Sequence, residues 1–318
     1  MRIEHTILAV ARENDPQLGM LQGLRHIVGH DPAAFAGAVN DPVVILAWSG
    51  PKQLLRDVFT MCHDARWVHS RSAGLDSLLF PELVASKVPL TNGSGVFSLS
   101  LGEFALAAIL YFAKDFRRMI RNQVAGVWEQ FDVEEIAGQT VGIVGYGDIG
   151  RAVAARVHPM GMKVLAIKRH PPQSPDPLID QFYPPESLLE MLARCDYVVV
   201  ALPLTAETHH MLSDREFAAM KPTAVVINVG RGPVIDEAAI VRALTAKRIK
   251  GAGLDVFEQE PLPPGDPMYS LENVLLSPHT ADHTAEWLNQ AMRFFIEQDR
   301  RFSNGEALQN IVNKNLGY

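Results

Sequence analysis

A glycine-rich turn in the middle of the chain has the residue types needed to hold a pyrophosphate. Residues 142–150 read GIVGYGDIG, so that Gly145, Gly147 and Gly150 match the spacing G-x-G-x-x-G. The turn follows a predicted strand, opens a predicted helix and precedes a second predicted strand over 163–168. The first glycine permits the tight turn, the second lets backbone N–H groups approach a phosphate, and the third lets helix and strand pack closely. The predicted dinucleotide site comprises Gly145, Tyr146, Gly147, Asp148, Ile149 and Gly150.

The end of the second strand indicates which dinucleotide is preferred. NAD-binding versions of this motif carry an acidic residue about 20 positions after the glycines, where it accepts hydrogen bonds from the ribose 2′-hydroxyl. Here that position holds Lys168, followed by Arg169 and His170. Two cations could bind a 2′-phosphate, the arginine through two parallel hydrogen bonds. We therefore expect NADP(H) to be favoured, and the alternative is a solvated basic turn in a protein that binds NAD(H).

Composition excludes several classes of protein. Of the 318 residues, 47% are hydrophobic and 20% are charged, which excludes wholesale disorder. The net charge of −7 argues against a general nucleic-acid or anionic-membrane surface. Cys62 and Cys195 are too few for a disulfide framework or a four-ligand zinc site, and we expect no metal. The longest apolar stretch, over 104–113, is too short to span a bilayer, and the N-terminus is too charged for a signal peptide. We expect a cytoplasmic protein.

Strands and helices alternate along the chain. The predicted strands are near-continuous runs of Val, Ile and Leu, as is typical of a parallel sheet covered on both faces. They cover residues 43–48, 65–70, 140–145, 163–168, 197–202, 224–229, 251–257 and 273–278. Helical patterns lie between them over 149–160, 187–194 and 236–246, the last with Asp236 as a predicted N-cap. This alternation predicts a doubly wound α/β architecture.

The length predicts two domains, and the position of the nucleotide motif indicates their arrangement. Because the motif lies in the middle, we expect its domain to be inserted between two halves of the other. We place the dinucleotide-binding domain at 101–284 and the substrate domain at 1–100 and 285–318. Residues 101–121 are predicted to form one long, mostly apolar helix, either buried or part of a dimer surface. A further helix is predicted over 284–301.

Three segments downstream of the glycine-rich turn carry a family resemblance. They read NVGRGPVID over 228–236, GLDVFEQEPLP over 253–263 and LSPHTADHT over 276–284. With GYGDIG, they have the order and spacing of the D-isomer-specific 2-hydroxyacid dehydrogenase family, which the chain resembles from about Ser70 to its C-terminus. The resemblance implies two Rossmann-like, doubly wound parallel-sheet domains, with the nucleotide-binding domain inserted into the substrate domain. It also implies an active site in the cleft between the domains, and a homodimer.

The resemblance assigns three catalytic residues. Arg231, in the NVGRG segment, would hold the carboxylate and carbonyl oxygen of the substrate and polarise the carbonyl, for which the fixed donors of a guanidinium are suited. His279, in the SPH segment, would be the general acid in reduction and the general base in the reverse reaction. Glu260, immediately before a proline, would pair with His279 and keep a proton available near neutrality. Glu258 is the rival in the same segment.

Further cofactor-binding residues follow from the resemblance. Asp255 would lie beside the nicotinamide carboxamide, and the alternative is a strand-end aspartate that caps a turn. The backbone of Val229 and Arg231 would line the same ring. Pro203 and Thr208 belong to a segment that matches the loop passing the adenine and ribose.

The segment HSRSAGLDSL over 69–78 resembles the loop that binds the substrate carboxylate. The backbone N–H groups of Ala73 and Gly74 would bind it, because small residues allow close approach. Arg71 is a departure that either reaches a substrate anion or pairs with an acidic neighbour. Trp48 and Trp287 are expected either to wall the substrate site or to lie in the core. Asn92, farther along the chain, is expected to be a turn residue.

The resemblance implies an oxidoreductase that transfers hydride between NADP(H) and a small 2-oxoacid or D-2-hydroxyacid, with glyoxylate or hydroxypyruvate as the default substrate. Bulkier oxoacids such as phenylpyruvate stay open, because the side chains of the pocket cannot be placed from sequence. Asp282 and His283 occupy positions where the family often has small residues, and they could reshape the pocket or contact the nicotinamide. The alternative is a nucleotide-sensing, corepressor-like binding protein of the same fold, without turnover. The expected partners are the small-molecule substrate and a second copy of the chain, without nucleic acid or membrane.

Overall fold

The chain folds as two compact units. The computed structural model describes residues 3–12, 14–76, 78–170, 172 and 174–318. The first unit comprises Met1–Phe97 and Ala285–Tyr318, and the second comprises Ser98–Thr284. The second unit is therefore inserted into the first, and it begins at Ser98 rather than at residue 101.

The strands form parallel sheets, one in each unit. Among the described residues, the first sheet has the order β2-β1-β3-β4-β5 and consists of β1 (Thr6–Val10), β2 (His26–Gly29), β3 (Pro42–Ala47), β4 (Asp64–Ser70) and β5 (Leu90–Thr91). The second, within the same described part, has the order β12-β11-β10-β9-β6-β7-β8 and consists of β6 (Thr140–Val144), β7 (Lys163–Ile167), β8 (Gln181–Tyr183), β9 (Tyr197–Val200), β10 (Val225–Asn228), β11 (Gly251–Leu254) and β12 (Val274–Leu276). Neighbouring strands pair in parallel in both sheets.

The α-helices connect these strands. In the described part of the chain they are α1 (Lys52–Met61), α2 (Pro81–Ala85), α3 (Ser98–Ala113), α4 (Phe116–Ala125), α5 (Asp148–Val157), α6 (Leu188–Leu192), α7 (Asp214–Ala219), α8 (Glu237–Thr245) and α9 (Trp287–Ser303). As predicted, Asp236 caps the α8 N-terminus, where its side chain accepts the Ala239 N–H at 2.9 Å. No helix within the described residues is long and apolar enough to cross a bilayer. The predicted α/β fold with two doubly wound sheets is confirmed.

The core of each unit explains why these segments fold together. In the first unit, α9 returns from the C-terminal end of the chain and buries Phe295, whose ring stacks on Trp67 of β4 at 5.6 Å. In the second unit, α3 packs closely on α5, since a Cβ at Gly102 would lie 2.8 Å from the carbonyl oxygen of Ala152. Burial of these apolar contacts joins the sequence-distant segments of each unit.

The prediction of one long helix over residues 101–121 is wrong. It is two helices, α3 and α4, separated at Asp115, whose φ of 49° is left-handed and cannot continue a helix. The Asp115 side chain accepts the Arg118 N–H at 3.3 Å and so caps the start of α4. The residues of α4 are not buried. The chain therefore breaks at Asp115 into two helices, of which only α3 has buried residues.

The strand order places several loop segments at one edge of each sheet. In the second unit the chain runs from β6 outward to β7 and β8, then returns to β9 on the other side of β6. Such a reversal opens a crevice outside the carboxyl ends of the strands, where α/β proteins bind ligands. The glycine-rich turn after β6 and the segments after β7, β9, β10, β11 and β12 all lie at this edge. The first unit reverses similarly between β1 and β3.

Candidate active site

The glycine-rich turn has the geometry of a phosphate-binding loop. Gly145 has a φ of 104°, and a Cβ there would lie 2.9 Å from the carbonyl oxygen of Ala201. At Gly150 a Cβ would lie 2.3 Å from the Gly145 oxygen, whereas a Cβ at Gly147 would meet nothing within 4 Å. Gly147 is the N-cap of α5, whose first N–H groups lack intrahelical acceptors. The open space at Gly147, in front of a positive helix end, fits a dinucleotide pyrophosphate.

The basic turn after β7 is placed among polar partners. Lys168 donates from Nζ to the Tyr146 carbonyl oxygen at 2.7 Å and lies 5.4 Å from the centre of its ring. Arg169 forms an ion pair with Glu207. The Tyr146 hydroxyl donates to Asp176 at 2.9 Å; burial and this hydrogen bond raise the pKa of Tyr146, so the hydroxyl stays protonated. Sequence reasoning missed Glu207, which comes from a distant segment, and Asp176, which lies six positions after His170 but carries no motif that marks it.

The loop after β9 is organised by Thr208. The Thr208 hydroxyl donates to the Pro203 carbonyl oxygen at 2.7 Å and accepts the Thr205 N–H at 2.8 Å. Thr208 is buried, so its side chain shapes the loop from within. Val229 extends β10, where its N–H donates to the Val200 oxygen at 3.0 Å, and its side chain is buried.

The structure brings His279 and Glu260 into contact. Nδ1 of His279 lies 2.6 Å from Oε2 of Glu260, and the other carboxylate oxygen accepts the Phe257 N–H at 2.9 Å. The rival carboxylate, Glu258, instead contacts Nε2 of His210 at 2.8 Å. With Nδ1 held by a carboxylate, Nε2 is the ring nitrogen of His279 that can exchange a proton with a ligand.

Asp255 caps the turn that carries His279. Its Oδ1 atom accepts the Ser277 hydroxyl at 2.6 Å and the N–H groups of Thr280 and Ala281 at 3.0 and 3.1 Å. The backbone of His279 has a φ of 53°, a left-handed conformation that is uncommon outside glycine. Asp255 is 1% exposed, so these hydrogen bonds are shielded from water. The buried carboxylate therefore fixes the backbone that aims the imidazole.

Arg231 lies after β10, the strand next to β11. Its NH1 atom donates to the Gly230 oxygen at 2.8 Å, and Asn228 donates to the Arg231 oxygen at 3.0 Å. A Cβ at Gly232 would lie 2.0 Å from the backbone of Phe257, so the arginine segment packs directly against the segment that carries Glu260. Arg231, Glu260 and His279 thus follow three neighbouring strands at one sheet edge.

A second carboxylate follows the histidine. Oδ1 of Asp282 lies 3.6 Å from Nε2 of His283 and, within the described residues, has no hydrogen-bond partner although it is buried. Burial raises the pKa of Asp282, against the opposing charges of His283 and His279. These side chains give the segment after His279 a polar character that small residues would lack.

In the first unit, the segment after β4 is supported by Asn92. Its Nδ2 atom donates to the Ala73 oxygen at 2.6 Å, while its Oδ1 atom accepts the Ser94 N–H at 3.2 Å. Asn92 is therefore a turn residue, as predicted, and it also holds the loop that carries Ala73 and Gly74. Within the described part of the chain, the N–H groups of Ala73 and Gly74 donate to no acceptor.

Arg71 begins the same segment and lies over two aromatic rings. Its guanidinium carbon is 5.1 Å from the ring centre of Trp48 and 5.4 Å from that of Trp287. Trp48 is buried, whereas Trp287 is partly exposed at the start of α9. From the sequence, each tryptophan was expected either to wall the substrate site or to lie in the core. In the structure both contact Arg71.

The chain is similar to known proteins in both sequence and fold. Residues 106–281 match the family described as D-isomer specific 2-hydroxyacid dehydrogenase, NAD binding domain. A glyoxylate reductase of Korarchaeum cryptofilum is 35% identical over 269 residues, covering 82% of this chain and 80% of the relative. A solved NADPH-dependent glyoxylate/hydroxypyruvate reductase of Sinorhizobium meliloti, in complex with NADP and sulfate, has a TM-score of 0.85 at 26% identity and covers 99% of this chain and 100% of its own. A solved D-isomer specific 2-hydroxyacid dehydrogenase of Xanthobacter autotrophicus Py2, in complex with NADPH and MES, has a TM-score of 0.82 at 30% identity. The match covers 99% of this chain and 100% of that one.

Proposed function

Because the chain belongs to the D-isomer-specific 2-hydroxyacid dehydrogenase family, we propose that it uses NADP(H) to reduce short 2-oxoacids, with glyoxylate and hydroxypyruvate as the first candidates. The observation that carries the proposal is the 2.6 Å contact between Nδ1 of His279 and Glu260. It places an imidazole with a carboxylate partner at the same sheet edge as the glycine-rich turn. A proton donor at the ligand-binding edge of a dinucleotide fold is what carbonyl reduction requires.

The chemistry divides between the cofactor and the protein side chains. When bound, the nicotinamide would supply the hydride that forms the new C–H bond at the substrate carbonyl carbon. The carbonyl π bond would break, and its oxygen would take a proton from Nε2 of His279, whose Nδ1 is held by Glu260. Arg231 would bind the carboxylate and the carbonyl oxygen, where its positive charge favours the developing negative charge. As the family resemblance implies, the N–H groups of Ala73 and Gly74 would also bind the substrate carboxylate.

The cofactor would be held by the second unit. The first turn of α5, from Gly147 to Gly150, would receive the pyrophosphate, with Asp255 and Val229 near the nicotinamide and Pro203 and Thr208 near the adenosine. Lys168 and Arg169 support a preference for NADP(H), because they follow β7 where NAD-specific folds have a carboxylate. The relatives from Sinorhizobium and Xanthobacter, whose solved complexes contain NADP and NADPH, support the same preference.

We also propose that two copies associate through α4 and the segment that follows it. This surface exposes the large apolar side chains of Phe116, Met119, Ile120, Val124, Val127 and Trp128. Trp128 is 96% exposed, and a cluster of exposed large apolar residues in one segment is typical of a protein interface. A homodimer with twofold symmetry would bury the patch against its own copy. Sedimentation of the wild type and of Val124→Glu tests it: we expect a dimer and a monomer, respectively.

A cytoplasmic location fits the two thiols. Cys62 and Cys195 are both free and buried, and burial raises their pKa values to about 11 and about 12. Both thiols therefore stay protonated and unreactive, as is usual for core cysteines in a reducing compartment.

The test is to measure initial rates of NADPH and NADH oxidation with glyoxylate, hydroxypyruvate, pyruvate and phenylpyruvate. We expect NADPH oxidation with at least one oxoacid, and a loss of about 100-fold or more in kcat for His279→Ala. NADPH binding, followed by its fluorescence, should be unchanged in that variant. Tight nucleotide binding without turnover of any oxoacid would reject the reductase and favour a nucleotide-sensing protein.

A further inference from the structure

The loop proposed to bind the substrate carboxylate is held by the turn over 92–94, which follows β5 in the first unit. The Gly93 N–H donates to the Ser72 oxygen at 3.2 Å, and Nδ2 of Asn92 donates to the Ala73 oxygen at 2.6 Å. Asn92 is 7% exposed, so its hydrogen bond is shielded from water. One turn therefore holds two consecutive carbonyl groups of the loop.

These two contacts fix the direction of the N–H groups that follow in the loop. Both peptide bonds are trans, and in a planar trans peptide group the N–H points opposite to the C=O. The Ser72 oxygen shares a peptide group with the Ala73 N–H, and the Ala73 oxygen shares one with the Gly74 N–H. Because the turn over 92–94 holds both oxygens, it makes both N–H groups point away from itself. The turn therefore orients the two donors proposed to bind the substrate carboxylate.

The turn is itself held by Asn310, which lies 218 positions after Asn92. Nδ2 of Asn310 donates to the Asn92 oxygen at 3.2 Å and to the Ser94 oxygen at 2.7 Å. One side-chain amide thus binds the carbonyl groups on both sides of Gly93. The φ of Asn310 is 55°, in the left-handed region that asparagine adopts more readily than most residues. Asn310 therefore joins the two ends of the turn that orients the loop.

The neighbours of Asn310 are anchored to the same unit. Ile311 pairs with Thr91 of β5 in an antiparallel bridge. The Gln309 N–H donates to Oε1 of Gln298 at 2.8 Å, and Nε2 of Gln298 donates to Oε1 of Gln309 at 2.9 Å. Gln298 belongs to α9 and is 0% exposed, so these hydrogen bonds lie in the interior of the unit. Asn310 therefore holds the turn from a fixed position between two anchored residues.

We propose that Asn310 is a positioning residue for substrate binding, which acts through the turn over 92–94 on the N–H groups of Ala73 and Gly74. The inference rests on the proposed function, which assigns the substrate carboxylate to these two N–H groups. The carboxylate takes no part in the reduction, so its hydrogen bonds are equally strong in the bound substrate and in the transition state. Misalignment of the two donors therefore raises KM and leaves kcat nearly unchanged.

The test replaces Asn310 by glycine, which keeps the left-handed backbone and removes both hydrogen bonds to the turn. At saturating NADPH, with the oxoacid that the wild type reduces fastest, we expect Asn310→Gly to raise KM about 5- to 20-fold, because hydrogen bonds to a charged group are weakened. The value of kcat should change less than about twofold, and the dissociation constant of NADPH, followed by its fluorescence, should not change.

Asn313→Gly is the matched control. It removes the same side chain three positions farther along, where Oδ1 of Asn313 accepts the N–H groups of Asn315 and Leu316 at 3.1 and 3.2 Å. These hydrogen bonds do not involve the turn over 92–94, so KM should stay within about twofold of the wild type.

Further variants test the route through the turn. Asn92→Asp keeps the acceptor for the Ser94 N–H but loses the donor that holds the Ala73 oxygen, so it should raise KM at least as much as Asn310→Gly. Combining the two should raise KM by less than the product of the single effects, because both act through one turn. Asn310→Asp, which keeps the size of the side chain but lacks the amide donors, should also raise KM and replaces Asn310→Gly if that variant does not fold.

The outcomes separate this inference from the proposed function. If the wild type reduces an oxoacid and KM is unchanged in Asn310→Gly, the positioning role is rejected while the reductase stands. Parallel losses of kcat and NADPH affinity in Asn310→Gly, or a double variant whose effect equals the product of the single ones, would also overturn it. If the wild type reduces no oxoacid, the proposed function fails, and the inference fails with it.

Discussion

The carboxylate of Asp255 accepts a hydrogen bond at 3.0 Å from the N–H of Thr280, the residue that follows His279. The same oxygen also accepts the N–H of Ala281 and the hydroxyl of Ser277. A residue other than glycine in the left-handed region costs on the order of 1–3 kcal/mol and persists only where its surroundings enforce it. Asp255 is therefore the residue that enforces the backbone of His279, and so the direction of its imidazole.

Replacement of Asp255 tests this relationship. Asp255→Ala removes an acceptor shared by three donors, so we expect the free energy of unfolding to fall by about 1–3 kcal/mol. Because the His279 backbone is then free to relax, we expect kcat to fall at least about tenfold. Ser277→Ala, which removes one of the three donors, should have a smaller effect on both. Urea unfolding measures the change in stability, and steady-state rates measure the change in kcat. An unchanged kcat in Asp255→Ala would contradict the positioning role.

The two neighbouring glutamates make a matched pair. Glu260→Gln removes the charge that faces Nδ1 of His279, so we expect kcat/KM for oxoacid reduction to fall about 10- to 100-fold. Glu258→Gln makes the same chemical change two residues away, where the carboxylate contacts His210, and should leave kcat/KM within about twofold. Steady-state rates of both variants check this. Comparable losses in both would mean that the whole segment, rather than the contact with His279, determines activity.

The glycine-rich turn offers a test that separates binding from folding. A Cβ at Gly150 would lie 2.3 Å from the Gly145 oxygen, so Gly150→Ala should destabilise the protein by about 1–3 kcal/mol. A Cβ at Gly147 would meet nothing within 4 Å, so Gly147→Ala should fold normally. It should still weaken NADPH binding at least about tenfold, because the methyl group occupies the space expected for the pyrophosphate. Thermal unfolding and NADPH fluorescence titration measure the two effects; unweakened binding in Gly147→Ala would place the pyrophosphate elsewhere.

The ion pair of Arg169 and Glu207 bears on cofactor preference. Arg169→Met should lower affinity for NADPH about tenfold while affinity for NADH changes little, because only NADPH has the 2′-phosphate. Glu207→Gln should have the opposite effect, raising NADPH affinity severalfold, since the arginine loses a competing carboxylate. The control is Glu272→Gln. It also removes one carboxylate charge, but Glu272 precedes β12 and so lies at the amino ends of the strands, opposite the basic turn. Equal NADPH and NADH losses in Arg169→Met would remove the basis for the proposed preference.

His69 gives the first unit a pH-dependent stability. Nδ1 of His69 is 2.8 Å from the Thr91 hydroxyl, and burial lowers the pKa of His69 from 6.5 to about 3. Because the unfolded chain binds this proton at higher pH, stability is full above pH 6.5 and falls as the pH drops toward 3, by on the order of a few kcal/mol. Unfolding measured across that range should be flatter for His69→Gln, which cannot titrate. A wild-type slope matching that of His69→Gln would exclude a neutral His69.

Much of the fold follows from local pattern. Runs of Val and Ile marked the central strands because both faces of a parallel sheet are buried, so each run is apolar throughout. The edge strands β2, β5 and β8 escaped detection, because β5 has only two residues and β2 and β8 are short and partly exposed. The break between α3 and α4 escaped as well: it depends on a left-handed Asp115, which hydropathy does not register.

The sequence by itself determined the glycine-rich turn, because the spacing of Gly145, Gly147 and Gly150 acts within one strand–turn–helix unit. Its resemblance to the family also identified His279 and Glu260 as candidate catalytic residues. Only the tertiary structure decided the contacts between distant segments: Arg169 with Glu207, and Arg71 with its tryptophans. The physical reason is that strand order, set by burial of a common core, decides which loops share a sheet edge, and no local spacing encodes that order.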